Sequence, residues 1–136
     1  MTSTDAASRP LIRVSAAVIR DADGRLLLVR KAGTSAFMQP GGKPDPGESP
    51  AETLVRELHE ELGVRVRTED LGPLGSFRAA AANEPDHVVV AEVFEVDLAG
   101  QEPRAAAEIA ELRWVDAADA GDLEVAPLAR EYFLGG

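Results

Sequence analysis

Between Ser49 and Gly63 the chain marks both ends of a helix. Ser49 and Glu52 form an S-x-x-E capping box, and Pro50 takes the first helical position, where a missing N–H costs nothing. Gly63 suits the left-handed residue that closes such a helix. At about 100° per residue, Ala51, Leu54, Val55, Leu58 and Leu62 gather on one side as an apolar face. Beside that face, Glu57, Glu60 and Glu61 share an arc roughly 100° wide. A fold for this chain has to bury the first face and accommodate the second.

Three carboxylates at this spacing repel one another by a few tenths of a kcal/mol even when exposed. Burial near a cleft raises that cost and pushes a carboxyl pKa upward. A divalent cation removes the problem, and oxygen ligands suit magnesium, manganese or calcium. Arg56, at about 260° on the same wheel, can neutralise and orient Glu60. The helix alone is equally consistent with a solvated charged face. The loop before it shifts the balance. Gln39-Pro40-Gly41-Gly42-Lys43 sets bare backbone and a lysine just ahead of the acids. Such a glycine pair lets a phosphate approach or a carbonyl reach a metal, although Gly-Gly by itself is also an ordinary tight turn.

The rest of the chain reads as strands around this unit. Arg13 to Arg20 and Arg25 to Lys31 read as strands joined by a hairpin turn at Asp21-Ala22-Asp23-Gly24. The continuous apolar run in the second suggests burial on both faces. Ala32 to Gly47 holds three prolines and four glycines, which predicts a loop with no regular element. Val64 to Arg67 and Leu71 to Arg78 read as short strands, Ala79 to Asp86 as a turn, and His87 to Val96 as the strongest strand of the second half. Ala105 to Val115 ends in a strand, Ala117 to Gly121 makes a helical turn, and Pro127 to Leu134 a final helix. Strands, one helix, strands and a last helix predict an α+β sandwich. With 136 residues, one domain from 11 to 134 follows, behind a flexible N-terminus over 1–10.

Composition narrows the function. There are no cysteines, so disulfides, thiolate metal sites and cysteine nucleophiles are excluded. A net charge of −10 argues against a nucleic-acid polymer as partner, because phosphate backbones need a basic surface. Met1 to Pro10 has no apolar segment of the secretory kind, and no apolar run is long enough to span a bilayer. A cytoplasmic protein is the expectation.

Gly42, five residues, Glu48, seven residues, then Arg56-Glu57-Leu58-His59-Glu60-Glu61-Leu62-Gly63-Val64 resembles the signature box of the Nudix hydrolases, the MutT-like family. Every fixed position of that 23-residue pattern is present. The resemblance implies an α/β/α sandwich with a mixed β-sheet. It also implies hydrolysis of nucleoside diphosphates linked to another group X, with Mg2+ or Mn2+. It assigns metal binding to Glu57, Glu60, Glu61 and the Gly41 carbonyl, and activation of water to Glu57 or Glu60. Arg56 orients the acids, Glu48 supports the loop and helix start, and Lys43 sits near the phosphates. Some members add a glutamate from a later loop; Glu108 matches its distance, with Glu111 the competing candidate. Many members form homodimers, which sets that expectation here.

Outside the box the substrate is less constrained. Members that cleave ADP-ribose often carry a proline where this chain has Ala79-Ala80-Ala81. The tyrosine of dinucleoside polyphosphate members is absent, as is the asparagine of oxidised-purine members before the last helix. The reading is a nucleoside triphosphate pyrophosphohydrolase. The alternatives are hydrolysis of ADP-ribose or another nucleoside-diphosphate sugar, and a non-catalytic nucleotide-binding module. Phe37 and Met38 precede the glycine loop, where a nucleotide base could stack or pack, core packing being the other reading for at least one of them. Arg30 and Lys31 end a strand near that loop, placed either to meet phosphates or to stand as solvated strand-end charges.

Overall fold

Alternation along the first strand sets the layering. The computed structural model describes residues 9–134, so most of the N-terminal segment expected to be flexible lies outside the described residues. In β1 (Leu11–Val18), Val14, Ala16 and Val18 face one hydrophobic cluster and Ala17 faces another. β2 (Leu26–Lys31) repeats the pattern, with Leu26 and Leu28 on one side and Leu27 and Val29 on the other. All four are at most 1% exposed, as the continuous apolar run suggests. Such residues contribute roughly 1.5–3 kcal/mol each through burial.

The remaining elements complete three layers. They are β3 (Gly41–Gly42), α1 (Pro50–Leu62), β4 (Gly72–Ala80), β5 (Val88–Glu95), β6 (Ile109–Val115) and α2 (Pro127–Tyr132). A four-stranded mixed sheet has the order β3-β1-β5-β4, with β1 and β5 parallel and the other neighbours antiparallel. β2 and β6 form a separate antiparallel pair. α1 covers one side through Leu54, Leu58 and Leu62, each fully buried, and α2 covers the other through Leu128 and Ala129. This is the helix–sheet–helix arrangement expected.

α1 starts and stops where the sequence marks it. The Ser49 hydroxyl accepts from the Glu52 N–H at 3.1 Å, and the Glu52 carboxylate accepts from the Ser49 N–H at 2.9 Å. Gly63, at φ 69°, donates its N–H to the His59 carbonyl.

Five expectations change. The Asp21–Gly24 turn forms, closed by the Gly24 N–H on the Asp21 carbonyl at 3.0 Å, but β1 and β2 pair only through the Arg20–Leu26 bridge. Beyond it, both edges of β1 are taken, by β3 and β5. Val64–Arg67 is not a strand. The Gln101 carboxamide occupies the place of a partner, accepting from the Arg65 N–H and donating to its carbonyl, each at 2.8 Å. The loop from Ala32 to Gly47 contains β3, and Met38 and Phe37 bridge to Val29 and Val125, because buried peptide groups must be paired. β4 runs on to Ala80, and α2 stops at Tyr132, short of Leu134. Among the described residues no helix is long and apolar enough to cross a membrane.

Candidate active site

β3 ties the glycine loop to both β1 and α1. Gly42 stands opposite Ser15 and Gly41 opposite Ala16. The Ser15 hydroxyl donates to the Pro50 carbonyl at 2.7 Å, which joins the same strand to the start of α1. A side chain on Gly41 would meet fixed backbone, and one on Gly42 would have to displace the Glu57 side chain. A Cβ on Gly41, at φ 148°, would strike the Ser15 carbonyl, and one on Gly42 would land on the Glu57 carboxyl group. Bare backbone thus lets the Glu57 carboxylate pack directly against Gly42.

The three box acids share an arc but not an environment. Glu60 is turned outward, with its side chain 52% exposed. Glu57 is mostly covered, and burial pushes its pKa up, opposed by hydrogen bonding to Arg56. Glu61 is 2% exposed. Burial raises its carboxyl to about 7, against a hydrogen bond at 3.0 Å from the Gly41 N–H, while Glu57 and Glu108 add like charge. A buried carboxyl with one donor and two acidic neighbours favours a proton or a cation beside it.

Arg56 organises the outer rim. Its Nε and Nη2 donate to the two Glu48 oxygens at 2.7 and 2.9 Å, a bidentate pair. Nη1 donates to Glu57 at 3.0 Å and Glu60 at 3.2 Å, and Nη2 also reaches the Lys43 carbonyl at 3.0 Å. Arg56, aided by the Asp45 amide and the Thr53 hydroxyl, holds the Glu48 carboxyl down at about 2. Asp45 joins the network directly, 3.2 Å from Arg56 Nε. Sequence reasoning passed over Asp45, although its place between Pro44 and Pro46, three residues before Glu48, was visible. It also passed over Gln39, whose Nε2 donates to the Ala17 carbonyl at 3.0 Å and whose buried Oε1 has no protein partner.

A cleft of about 450 Å3 opens beside this network. Gly41, Lys43, Glu57 and Glu108 line it, together with Lys31 and Met38. Two expected substrate contacts sit elsewhere. Phe37 is 5% exposed and packs in the cluster under α2, its backbone bonded to Glu124 and Ala126, with the Arg113 guanidinium 5.6 Å above the ring. Arg30 points away from the cleft, bonded to Glu111 at 3.3 Å and to the Thr34 carbonyl at 2.9 Å. Alternation sends neighbouring side chains to opposite sides, so Met38 and Lys31 face the cleft instead. Glu111 is held below the usual carboxylate range, chiefly by its hydrogen bond from Arg113 and also by Arg30. Glu108 lies in the cleft, with its nearest cation Lys31 at 3.7 Å.

The donors fit a divalent cation by chemistry. They are oxygens only, carboxylates with a backbone carbonyl at hand, and the buried one has unused lone pairs. Among the described residues no three acidic or histidine side chains are already drawn into a closed cluster. Glu60 is engaged by Arg56 and Glu108 by Lys31.

Comparison with known proteins meets this geometry. The NUDIX domain profile matches residues 10–134. A MutT-like protein from Streptomyces ambofaciens is 34% identical over 113 residues, 82% of this chain and 68% of that protein. An 8-oxo-dGTP diphosphatase from Haemophilus influenzae is 40% identical over 60 residues, covering 41% of this chain and 44% of its own length. Among solved structures, the MutT protein from Methanosarcina mazei Go1 matches with a TM-score of 0.70 at 27% identity, over 89% of this chain and 88% of that one. The layering, the box and these likenesses agree, and the chain belongs to the Nudix family of hydrolases.

Proposed function

We propose that the protein hydrolyses a phosphate anhydride bond in a nucleoside diphosphate linked to X, in the first place a nucleoside triphosphate, with Mg2+ or Mn2+. The observation that carries this reading is Glu61, a carboxyl buried among like charges and hydrogen-bonded to the N–H of Gly41, which lines the cleft. Glu57, Glu60, Glu61, Glu108 and the Gly41 carbonyl would hold the cation. When bound, it supplies positive charge against the phosphate oxygens as negative charge grows on them.

The chain's own residues do the rest. Arg56 holds Glu57 and Glu60 in fixed orientation through one guanidinium nitrogen. Lys43 brings a second positive charge to the cleft wall. Glu57 lines the cleft and Glu60 does not, which favours Glu57 as the base that takes a proton from the attacking water. Its pKa, raised by burial, makes it a better proton acceptor than an exposed carboxylate. Splitting a triphosphate between its α and β phosphorus atoms gives a nucleoside monophosphate and pyrophosphate. The likeness to an 8-oxo-dGTP diphosphatase supports a triphosphate.

The test is a panel of nucleoside triphosphates, ADP-ribose, nucleoside-diphosphate sugars and dinucleoside polyphosphates with Mg2+, read for phosphate and pyrophosphate. Pyrophosphate release from triphosphates is expected. Turnover confined to ADP-ribose or the sugars would replace this reading, and no turnover at all would leave a binding module.

A further inference from the structure

Arg30 and Lys31 are adjacent and equally charged, yet the fold gives them different jobs. The β2–β6 ladder is irregular between them: Arg30 lies opposite Glu111 and Lys31 opposite Ile109. Arg30 is bound outside the cleft, as described above. Lys31 enters the cleft, half-buried, with Nζ 3.7 Å from the Glu108 carboxylate.

That placement is built rather than casual. The Ala32 N–H donates to the Glu108 carbonyl at 2.8 Å, which sets the two backbones side by side. The segment carrying Glu108 is tied in turn to the last turn of α1. The Ala106 N–H donates to the Glu61 carbonyl and the Arg104 N–H to the Leu62 carbonyl, each at 3.0 Å. Ala107, between Ala106 and Glu108, takes a left-handed φ of 53°. Lys31, Glu108 and Glu61 thus belong to one hydrogen-bonded frame. Lys43 lines the same cleft and has no ion pair among the described residues.

We propose that Lys31 is a positioning residue that acts as a built-in counter-cation, pairing with Glu108 and competing with the divalent cation for it. The inference rests on the metal reading above. A single ammonium cannot balance Glu57, Glu61 and Glu108, so a divalent cation displaces it from Glu108. The cost of that displacement sets how tightly the last ligand is recruited. Lys31 therefore lowers resting cation affinity and keeps Glu108 held in place until a cation arrives.

The experiment is a Mn2+ titration of the full chain, followed by the electron paramagnetic signal of free Mn2+, with thermal melts to confirm folding. Lys31→Met is expected to bind Mn2+ about tenfold more tightly than the wild type. Lys31→Arg, which keeps the charge, is expected to stay within about twofold of the wild type. With Glu108→Gln in the background, most of the Lys31→Met gain should vanish. Unchanged or weaker binding by Lys31→Met overturns the proposal, as does a gain of the same size without the Glu108 carboxylate. If the wild type binds no Mn2+, the metal reading itself falls, and this inference with it.

Discussion

At one end of the cleft Glu57, Glu108, Lys31 and Lys43 gather around the Gly41–Gly42 strand; at the other, Ile12, Val14, Val89, Leu128 and Ala129 offer hydrocarbon, with Asn83 and Glu84 of the turn after β4 beside them. The charged end is stitched by hydrogen bonds, nearly all within the segment from Gly41 to Glu61. The apolar end is an opening in the core cluster under α2, assembled from β1, β5, the turn after β4 and α2. The first is bound into one hydrogen-bonded network and offers the charges that phosphate chemistry uses. The second is suited to whatever the phosphates carry, and its shape depends on packing. Substitutions at the two ends should therefore separate turnover from substrate preference.

The largest effect is expected at the charged end. Glu57→Gln or Glu61→Gln should lower kcat by about 10³-fold while leaving the melting transition in place. Normal Mg2+-dependent turnover in both variants would remove the metal-site assignment. Next in size, Glu108→Ala should slow turnover by about tenfold, and Glu111→Ala by little. The reason is that Glu111 is occupied by Arg30 and Arg113, whereas Glu108 faces the cleft. Equal rates in the two would break that distinction.

Glu61 also makes the charged end sensitive to pH. Its folded carboxyl, at about 7, lies above the ordinary 4.5, so folding favours the protonated form. The stability this contributes is complete below about pH 4.5 and is lost as pH rises through about 7. Metal-free protein should therefore weaken between pH 5 and 8, by ~3 kcal/mol at most. Chemical denaturation at the two pH values measures it. Glu61→Gln should flatten the profile, and Mg2+ should restore stability at pH 8. A wild-type curve that is flat or rises across this range would contradict the burial argument.

The smallest effect is expected at the apolar end. Ala81→Leu narrows the wall beside Val89 and should change KM between purine and pyrimidine substrates several-fold with little change in kcat. A drop in kcat as large as that of Glu57→Gln would show that the two ends are not separable.

The same contrast explains what could be read before the fold was seen. α1 was legible to its caps because Ser49, Glu52 and Gly63 act on their own neighbours, and the box acids follow from one helical turn. The α+β sandwich was legible from the order of strands and helices, and its α/β/α layering followed from the resemblance of the box. What was not legible depends on partners far along the chain. The Asp23-Gly24 turn looks the same whether its strands pair or diverge, and it is β3, β5 and β6 that pull them apart. Val64–Arg67 has strand composition, but its partner is the side chain of Gln101. Phe37 and Met38 are both large and apolar. Which of them reaches the cleft is settled by Val125 pairing beside Phe37. The apolar end, with residues from 12 to 129, carries no local motif at all.

One measurement addresses the phosphate chemistry most directly: 31P NMR of a nucleoside triphosphate incubated with the protein and Mg2+, followed by excess EDTA. Resonances of the monophosphate and pyrophosphate should grow with Mg2+ present and stop on chelation, and Glu57→Gln should show neither. Persistence of the triphosphate signals with Mg2+, or hydrolysis that continues after EDTA, would contradict a cation-dependent anhydride hydrolase at this site.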